Sequence, residues 1–334
     1  MSATVTTSDA AAAGTELKES ASSPLTAVSR RRRFVDRAMT ALIGAAFAAA
    51  IVPLVWLMTT VASRGIGRFL VDADGQRRFN LSFLEQSMRG VFGGAPEGGI
   101  YHAVVGTLLI TLTAALISVP IGILAAVYLV EYGRGALKRA FTFFVDVMTG
   151  IPSIVAGLFA YALAAVIVGP GTKTGLVGAG ALAVLMVPVV VRASEEMLRL
   201  VPHELREAAY ALGVPRWRVV VKVVLRTSAA GLATGVSLAI ARVIGETAPL
   251  LIAVGVADSL NTTIFDGRMM TLPVYIVSEW RKGPAVCNDP AAVCLPEITE
   301  LRAWAAALVL ILIVMALNVG ARLISKHFSP KTGR

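Results

Sequence analysis

Charged residues are scarce in this sequence. They make up 16% of the 334 residues, and 56% of the residues are hydrophobic, whereas a soluble domain averages about 25% charged residues. This deficit excludes an ordinary soluble domain and indicates a bilayer protein. The net charge of +10 would suggest a nucleic-acid partner in a soluble protein. Here the charges lie between apolar runs, so membrane topology explains them better, and we expect no nucleic-acid partner.

The sequence also lacks the motifs of catalysis and metal binding. No G-x-x-x-x-G-K-[ST] motif occurs, so the chain has no P-loop and would depend on a partner for ATP hydrolysis. Neither H-E-x-x-H nor G-x-S-x-G is present, and the three histidines, His102, His203 and His327, lie far apart in sequence. We therefore predict that the chain has no catalytic site, no metal site and no cofactor of its own.

Six apolar runs are long enough to cross a bilayer, which takes about 20 mainly apolar residues. The first is no signal peptide, because it is too long and follows a long polar tail. We therefore expect an all-α membrane protein with six transmembrane helices. The runs are residues 38–63, 103–130, 147–172, 174–191, 227–257 and 303–321.

Lysine and arginine are unevenly distributed between the connecting segments. With the N-terminus inside, the inner segments hold 18 of them and the outer segments hold 10. This excess indicates cytoplasmic N- and C-termini in a multi-pass protein of the cell membrane. The inner segments are 1–37, 131–140, 198–226 and 326–334, and the outer ones are 64–100, 169–175 and 258–302.

These boundaries divide the chain into four parts. Residues 1–37 form a cytoplasmic tail, which we expect to be disordered because its first 29 residues are mostly Ala, Ser and Thr with no apolar periodicity. Residues 38–100 hold the first transmembrane helix and an outer loop. Residues 101–325 form the transmembrane permease domain, and residues 326–334 form a cytoplasmic tail.

The only two cysteines, Cys287 and Cys294, lie in one polar loop and flank the six residues NDPAAV. The topology places this loop outside, where disulfides persist, and a turn near Pro290 would allow closure. We predict a Cys287–Cys294 disulfide, the alternative being two free thiols.

The inner loop 198–226 has the pattern of two short helices. Pro202 suits a first helical turn, Glu204 and Glu207 favour the N-terminal end of a helix, and Gly213 can end that helix. The segment VPRWRVVVKVVL then begins a second helix after a turn. This layout predicts a compact, basic projection suited to a partner protein.

The same loop resembles the EAA loop of ABC-importer permeases. That pattern is Glu-Ala-Ala, three residues, Gly, nine residues, an aliphatic residue, one residue and Leu-Pro. Arg226 stands where the proline is usual, which leaves the exit from the loop undefined. The resemblance implies the fold of a type I ABC importer permease, whose loop forms coupling helices in a cleft of an ATPase subunit. The matching positions are Glu207, Ala208, Ala209, Gly213, Val223 and Leu225.

Four further segments make the resemblance narrower. GIPSIVAGLFAY from Gly150, VPVVVRASEEMLRLVP from Val187, IARVIGETAPLL from Ile240 and ARLISKHFSP from Ala321 are similar to segments of PstA-type phosphate permeases. PstC-type partner permeases share the Arg…GET segment, so that segment alone does not separate the two types. The resemblance implies an importer of inorganic phosphate built from PstA-type and PstC-type permeases, a PstB-type ATPase dimer that uses ATP and Mg²⁺, and a PstS-type phosphate-binding protein.

Arg242 and Glu246 lie inside the fifth apolar run, where a charged side chain costs about 2.5–3.5 kcal/mol on insertion scales and is a functional candidate by default. On a continuous helix, Glu246 lies one turn beyond Arg242 and can pair with it. Arg192, at the end of the fourth run, is left unexplained by such a pair. Guanidinium groups suit phosphate oxygens, and the resemblance implies an arginine in each of these two segments.

We therefore predict a substrate pathway that includes Arg192, Arg242 and Glu246, in which the glutamate prevents too tight a grip on the ion. The alternative is a structural Arg242–Glu246 ion pair. Asp146, just before GIPS, is interpreted as an acidic residue at the N-terminal end of a helix, the alternative being a pathway or coupling role. The G-x-x-x-G segment GLATG, Gly231 to Gly235, predicts close helix packing.

Several functions remain open at this stage. A permease for another oxyanion, such as sulfate or molybdate, has the same general requirements. An independent channel or a proton-coupled carrier is disfavoured by the EAA-type loop, because such proteins have no ATPase to dock. A membrane enzyme is the weakest alternative, since no catalytic constellation is present.

Overall fold

The computed structural model describes residues 30–71, 76, 78–287 and 293–328, and every regular element in these ranges is helical. The chain divides into two compact units, Met1–Thr59 and Thr60–Arg334. Most of the predicted N-terminal tail, residues 1–29, and the last six residues, 329–334, lie outside the described residues. We number the helices α1 to α12: Arg30–Phe69, Ser82–Glu85, Tyr101–Val127, Gly135–Thr149, Ser153–Ile167, Gly175–Arg199, His203–Ala211, Arg216–Val219, Leu225–Val243, Ala248–Ala253, Leu272–Lys282 and Ile298–Phe328.

The first helix begins earlier than the sequence predicts. The four consecutive arginines Arg30–Arg33 form the first turn of α1, whereas the predicted tail extends to residue 37. Arginine is a good helix former, so the helix continues through this charged segment beyond the apolar run. At the other end of the chain, α12 continues to Phe328, three residues into the segment predicted as a tail.

Within the described residues, five helical segments are long and apolar enough to cross a membrane, or six when one bent pair is counted as a single span. Two of them include a short π-helical turn, Tyr128–Tyr132 after α3 and Val220–Val224 between α8 and α9. The five segments are Arg30–Phe69, Tyr101–Tyr132, Gly175–Arg199, Arg216–Val243 and Ile298–Leu323. The all-helical, multi-span architecture predicted from the sequence is thus confirmed.

The third predicted span, 147–172, is not a straight helix. It is divided between α4 and α5, whose axes differ in direction by 104°. The chain turns at Gly150–Pro152, where Pro152 is extended and lies just before α5. Proline lacks a backbone N–H and disfavours helix at the preceding residue, which explains why the chain changes direction here.

The fifth predicted span, 227–257, is also interrupted. Helix α9 ends at Val243 and α10 begins at Ala248, with Pro249 in its first turn. The prediction of one helix carrying Arg242 and Glu246 on the same face is therefore wrong, because Glu246 lies in the break. Gly245 and the proline that follows favour such an interruption.

Helices α3 and α6 pack along each other and hold most of the buried core with α9, α10 and α11. Helix α9 runs antiparallel to α6, and the GLATG segment forms their contact. A Cβ atom at Gly231 would lie 2.5 Å from the sulfur of Met197, and one at Gly235 would lie 2.8 Å from Cβ of Ala193. The prediction of close packing at this segment is confirmed, and the partner is a helix of the same chain.

Gly157 of the GIPSIVAG segment packs against the first turn of α10. A Cβ atom there would lie 2.5 Å from Cα and 2.8 Å from the carbonyl oxygen of Pro249, whereas a Cβ atom at Gly180 in α6 would meet nothing within 4 Å. We expect Gly157→Ala to lower the free energy of unfolding by about 1–3 kcal/mol, the usual cost of overpacking.

The measurement is the unfolding temperature of the full chain in detergent, followed by tryptophan fluorescence. The matched control Gly180→Ala adds the same methyl group to open space, and alanine favours a helix more than glycine does. It should leave the unfolding temperature unchanged or raise it slightly. Equal losses in the two variants would contradict the assigned contact between α5 and α10.

Candidate functional site

Arg242 occupies the last turn of α9, and Glu246 follows in the break before α10. Arg242 is exposed and Glu246 is half-buried. Among the residues that the structure describes, neither side chain takes part in an ion pair. The structural Arg242–Glu246 pair that the sequence leaves open is therefore absent from this structure, and the Arg242 charge is uncompensated within the described part of the chain.

Arg192 in α6 is compensated. It forms ion pairs with Asp146 of α4 and, at 2.8 Å, with Glu195 one turn further along α6. Glu195 is buried and also accepts a hydrogen bond from Arg199 at 2.5 Å. Asp146 lies in the last turns of α4, so its interpretation as an acid at a helix N-terminus is wrong. The apolar run 147–172, which begins next to Asp146, contains the end of α4 and the start of α5.

The two arginines lie at different depths along the packed pair α6 and α9. Because Gly235 lies against Ala193 in the antiparallel pair, Arg192 is level with about residue 236 of α9. Arg242 is therefore roughly 9 Å further along the axis at 1.5 Å per residue.

The loop 198–226 has the predicted helix–glycine–helix layout. Helix α7 is followed by Gly213, whose φ is +73°, and α8 then continues through the π-helical turn into α9. A left-handed φ is accessible to glycine at no steric cost, so Gly213 sets the direction from α7 to α8. Arg206 fixes α7 to the end of α3 through a buried ion pair with Glu131 at 3.0 Å, and it also donates to the carbonyl oxygens of Val201 and Leu198.

The predicted coupling residues divide between two sides of this loop. Glu207, Ala208 and Gly213 are exposed, whereas Ala209 is half-buried and packs against the buried apolar cluster formed mainly by the ends of α3 and α6, by α8 and by the π-helical turn that follows α8. Leu205 and Leu212, which share an exposed side of α7 with Ala208, are 44% and 83% exposed. The loop thus presents an apolar side, which is unusual for a basic surface segment.

Cys287 and Cys294 form a disulfide, and their Cα atoms are 5.8 Å apart. Leu295 next to it donates a backbone hydrogen bond to the carbonyl oxygen of Gly94, so this loop is held against the segment that precedes α3. We call this region of the molecule the disulfide end, and we call the opposite region, which carries α7 and α8, the basic end.

The disulfide also makes a chemical prediction. Intact mass spectrometry of unreduced protein treated with an alkylating reagent should show no added label, and reduction should expose two alkylation sites. Two alkylated cysteines in the unreduced protein would rule the bridge out.

A buried ionic cluster at the disulfide end has no counterpart in the sequence-based prediction. Arg302 and Glu279 are almost fully buried and lie 3.7 Å apart. Arg302 also donates to the carbonyl oxygens of Ala95 and Glu97, and Arg68 donates to that of Pro96. Both arginines therefore fasten the segment before α3 to α1, α11 and α12. Burial, followed by the charge of Glu279, raises the pKa of the neighbouring Tyr275 phenol far above its ordinary range.

This cluster lies at the disulfide end, whereas the EAA-type loop lies at the basic end. Its members belong to segments that are distant in the sequence, and each looks like an ordinary loop or span-flanking charge when considered alone. No local sequence signal identifies them as partners.

The chain is similar to known membrane transport proteins. The family described as "Binding-protein-dependent transport system inner membrane component" matches residues 118–334. The phosphate transport system permease protein PstA 1 of Mycobacterium tuberculosis (strain CDC 1551 / Oshkosh) is 44% identical over 295 residues, which cover 88% of this chain and 90% of that protein. The protein PstA of Mycobacterium leprae (strain TN) is 44% identical over 87% of this chain and 89% of its own length. The protein PstA of Pasteurella multocida (strain Pm70) is 40% identical over 81% and 87%.

Two solved structures share the fold at low identity. A chain of a bacterial alginate ABC transporter, in complex with a periplasmic protein that holds an alginate pentasaccharide, has a TM-score of 0.56 and 14% identity, and the match covers 92% of this chain and all of that one. A chain of the MetNI methionine ABC transporter in an inward-facing conformation has a TM-score of 0.50 and 19% identity, with 69% and 94% covered. The fold is that of type I ABC importer permeases.

Proposed function

The chain belongs to the family of binding-protein-dependent transport system inner membrane components and, within it, to the PstA-type phosphate permeases, and from this premise we propose that it is the permease subunit of an ATP-driven importer of inorganic phosphate. The observation that carries the proposal is the 44% identity with a phosphate permease across 88% of the chain. In this role the chain forms half of the translocation pathway, and a PstC-type permease forms the other half.

The proposed coupling to ATP hydrolysis runs through α7 and α8. The exposed apolar side of α7, with Leu205, Ala208 and Leu212, suits the docking of an amphipathic helix in a groove of a partner. We assign that partner as a PstB-type ATPase dimer, which supplies the sites for ATP and Mg²⁺. The basic end then faces the cytoplasm, together with both termini, and the disulfide end faces the PstS-type phosphate-binding protein.

The proposed pathway is centred on Arg242. Its exposed guanidinium has no ion-pair partner among the described residues, so it can offer charge-assisted hydrogen bonds to phosphate oxygens. Glu246, four residues further along the chain in the break, provides a negative charge that weakens the grip and allows release. Arg192 is a weaker contributor at its own depth, because Asp146 and Glu195 already compensate its charge.

Other functions remain as alternatives that the experiment must separate. An uncompensated arginine can bind sulfate or molybdate as well as phosphate. The choice of phosphate therefore rests on the similarity of this chain to phosphate permeases. A PstC-type role is disfavoured for the same reason. A channel or a proton-coupled carrier would work without an ATPase, and the exposed apolar side of α7 would then have no partner.

Purification tests the proposal most simply. An affinity-tagged chain, extracted from native membranes in a mild detergent, should elute with a second permease and an ATPase, and phosphate-loaded binding protein should stimulate ATP hydrolysis by this complex. A chain that elutes alone, from cells in which it still supports phosphate uptake, would contradict the proposed assembly.

A further inference from the structure

A cavity of about 520 Å³ opens at the basic end, between α7 and the connection from α3 to α4. The buried Arg206–Glu131 ion pair forms part of its wall. Lys138 in the first turn of α4, Arg199 at the end of α6 and Arg216 at the start of α8 surround it. The cavity therefore collects basic side chains from three helices that are separate in sequence.

The charge of this cavity is positive after internal pairs are removed. Arg206 and Glu131 neutralise each other, and Arg199 belongs to a balanced network in which Arg192 and Arg199 meet Asp146 and Glu195. Lys138 and Arg216 then remain against the single carboxylate of Glu207 among the lining residues. Arg199 shares Glu195 with Arg192, whereas Lys138 forms no ion pair with any residue that the structure describes. The remaining excess of one positive charge suits an anionic phosphate group, whose oxygens accept charge-assisted hydrogen bonds from lysine and arginine.

Arg216 is held in place for such a contact. Its guanidinium lies 4.9 Å from the ring centroid of Tyr132, and stacking of this kind leaves the edges of the guanidinium free to donate hydrogen bonds. Tyr132 ends the π-helical turn that also directs Glu131 to Arg206. The same turn therefore positions both the neutral wall of the cavity and one of the cations that line it.

Helix α4, whose first turn lines the cavity, resembles a helix that lies at the bilayer surface. Helix α4 carries Lys138 and Arg139 in its first turns, and Leu137, Phe141 and Phe144 are large, exposed apolar residues along it. Basic residues beside large apolar ones are typical of helices that lie in the membrane interface. The cavity is thus located where lipid headgroups and dissolved anions are both within reach.

We infer that this cavity binds a phosphate group, supplied either by the headgroup of an anionic phospholipid or by inorganic phosphate. The cavity is lined by Arg206, Glu207 and Tyr210 of α7, so the proposed coupling residue Glu207 borders it, whereas Leu205 and Ala208 of the apolar side lie outside its lining. Occupation of the cavity is therefore compatible with a protein docked on α7 and would stabilise the position of that helix. Only the suggestion that transported phosphate is one source rests on the proposed function.

The reactivity of Lys138 toward N-hydroxysuccinimide acetate tests this inference. The full chain is placed in phosphatidylcholine nanodiscs with potassium phosphate, or with potassium chloride at the same ionic strength, and in nanodiscs of phosphatidylcholine and phosphatidylglycerol in equal parts. We expect acetylation of Lys138, measured by peptide mass spectrometry, to slow about tenfold in the presence of the bound group, a change equivalent to about 1.4 kcal/mol.

Arg216→Gln should abolish this protection. Arg218→Gln is the matched control, because Arg218 also stacks on an aromatic ring, 5.1 Å from the Trp217 centroid, but does not line the cavity. Protection by potassium phosphate in phosphatidylcholine identifies the free anion as a ligand, and protection only with phosphatidylglycerol identifies the lipid. Absence of protection under both conditions, or protection that survives Arg216→Gln, overturns the inference. The assay involves neither ATP nor transport, so its outcome is independent of the proposed function.

Discussion

Gly213→Asp will reduce phosphate uptake at least about tenfold while the chain still inserts in the membrane. The left-handed φ of +73° at Gly213 costs a residue with a side chain about 1–2 kcal/mol, and relaxation of this strain turns α8 relative to α7. A loss of 1.4 kcal/mol in docking free energy lowers partner binding about tenfold. The measurement is radiolabelled phosphate uptake in cells that lack the native permease, with membrane levels checked by immunoblot.

The matched control for this variant is Gly171→Asp. Gly171 also has a left-handed φ, +83°, and a Cβ atom at either glycine meets nothing within 4 Å, but Gly171 lies in the connection between α5 and α6. Glu207→Ala should lower uptake in the same way as Gly213→Asp, because Glu207 is exposed on α7. Normal uptake in both loop variants, or an equal loss in the Gly171 control, would contradict the coupling role.

Arg242→Gln will abolish phosphate uptake without preventing assembly with the partner subunits. Loss of a hydrogen bond to a charged group costs about 1.5–3 kcal/mol, so uptake should fall by about 10- to 100-fold or more. Neutralising a charge within an apolar segment lowers its insertion cost, so the variant should reach normal membrane levels. The same uptake assay and immunoblot measure both quantities.

The double variant Arg242→Gln with Glu246→Gln separates two explanations. If the arginine served only to neutralise the glutamate, removal of both charges would be nearly neutral and uptake would recover. The structure has no ion pair between them, so we expect the double variant to remain inactive. Arg192→Gln should lower uptake less than Arg242→Gln, since Asp146 and Glu195 already compensate Arg192. Uptake near the wild-type level in the double variant would contradict the assignment of Arg242 to the substrate pathway.

The sequence is informative wherever a signal is local. The run 174–191 forms one unbroken helix from Gly175 onward, the first part of α6, because its length and apolarity suffice to define a span. Helix α7 ends at the predicted glycine, because proline, acidic residues and glycine act within a few residues of their own positions. Cys287 and Cys294 lie close enough in sequence for their pairing to be predicted.

The sequence is less informative about direction within a continuous apolar run. Residues 147–172 are uniformly apolar, so their hydropathy does not indicate the angle of 104° between the axes of α4 and α5. The break between Arg242 and Glu246 is hidden for the same reason. Helical periodicity does not reveal a break when the residues on both sides of the break are equally apolar.

Contacts between distant segments are the features that the sequence could not supply. Asp146 reaches Arg192 across 46 positions, and Arg302 reaches the carbonyl oxygen of Ala95 across 207. Each pairing depends on how the helices pack after they form. The sequence therefore predicts the three pathway residues but not their ion pairs. The structure shows that Asp146 and Glu195 compensate Arg192, whereas Arg242 has no ion-pair partner among the described residues.

The most direct test of the proposed function is phosphate uptake by proteoliposomes that contain the complete transporter with its binding protein. Uptake of radiolabelled phosphate should require ATP and the binding protein, should persist in an excess of sulfate, and should be lost when this chain carries Arg242→Gln. Uptake that continues without ATP, or that an equal concentration of sulfate suppresses, would contradict the assignment of this chain to an ATP-driven phosphate importer.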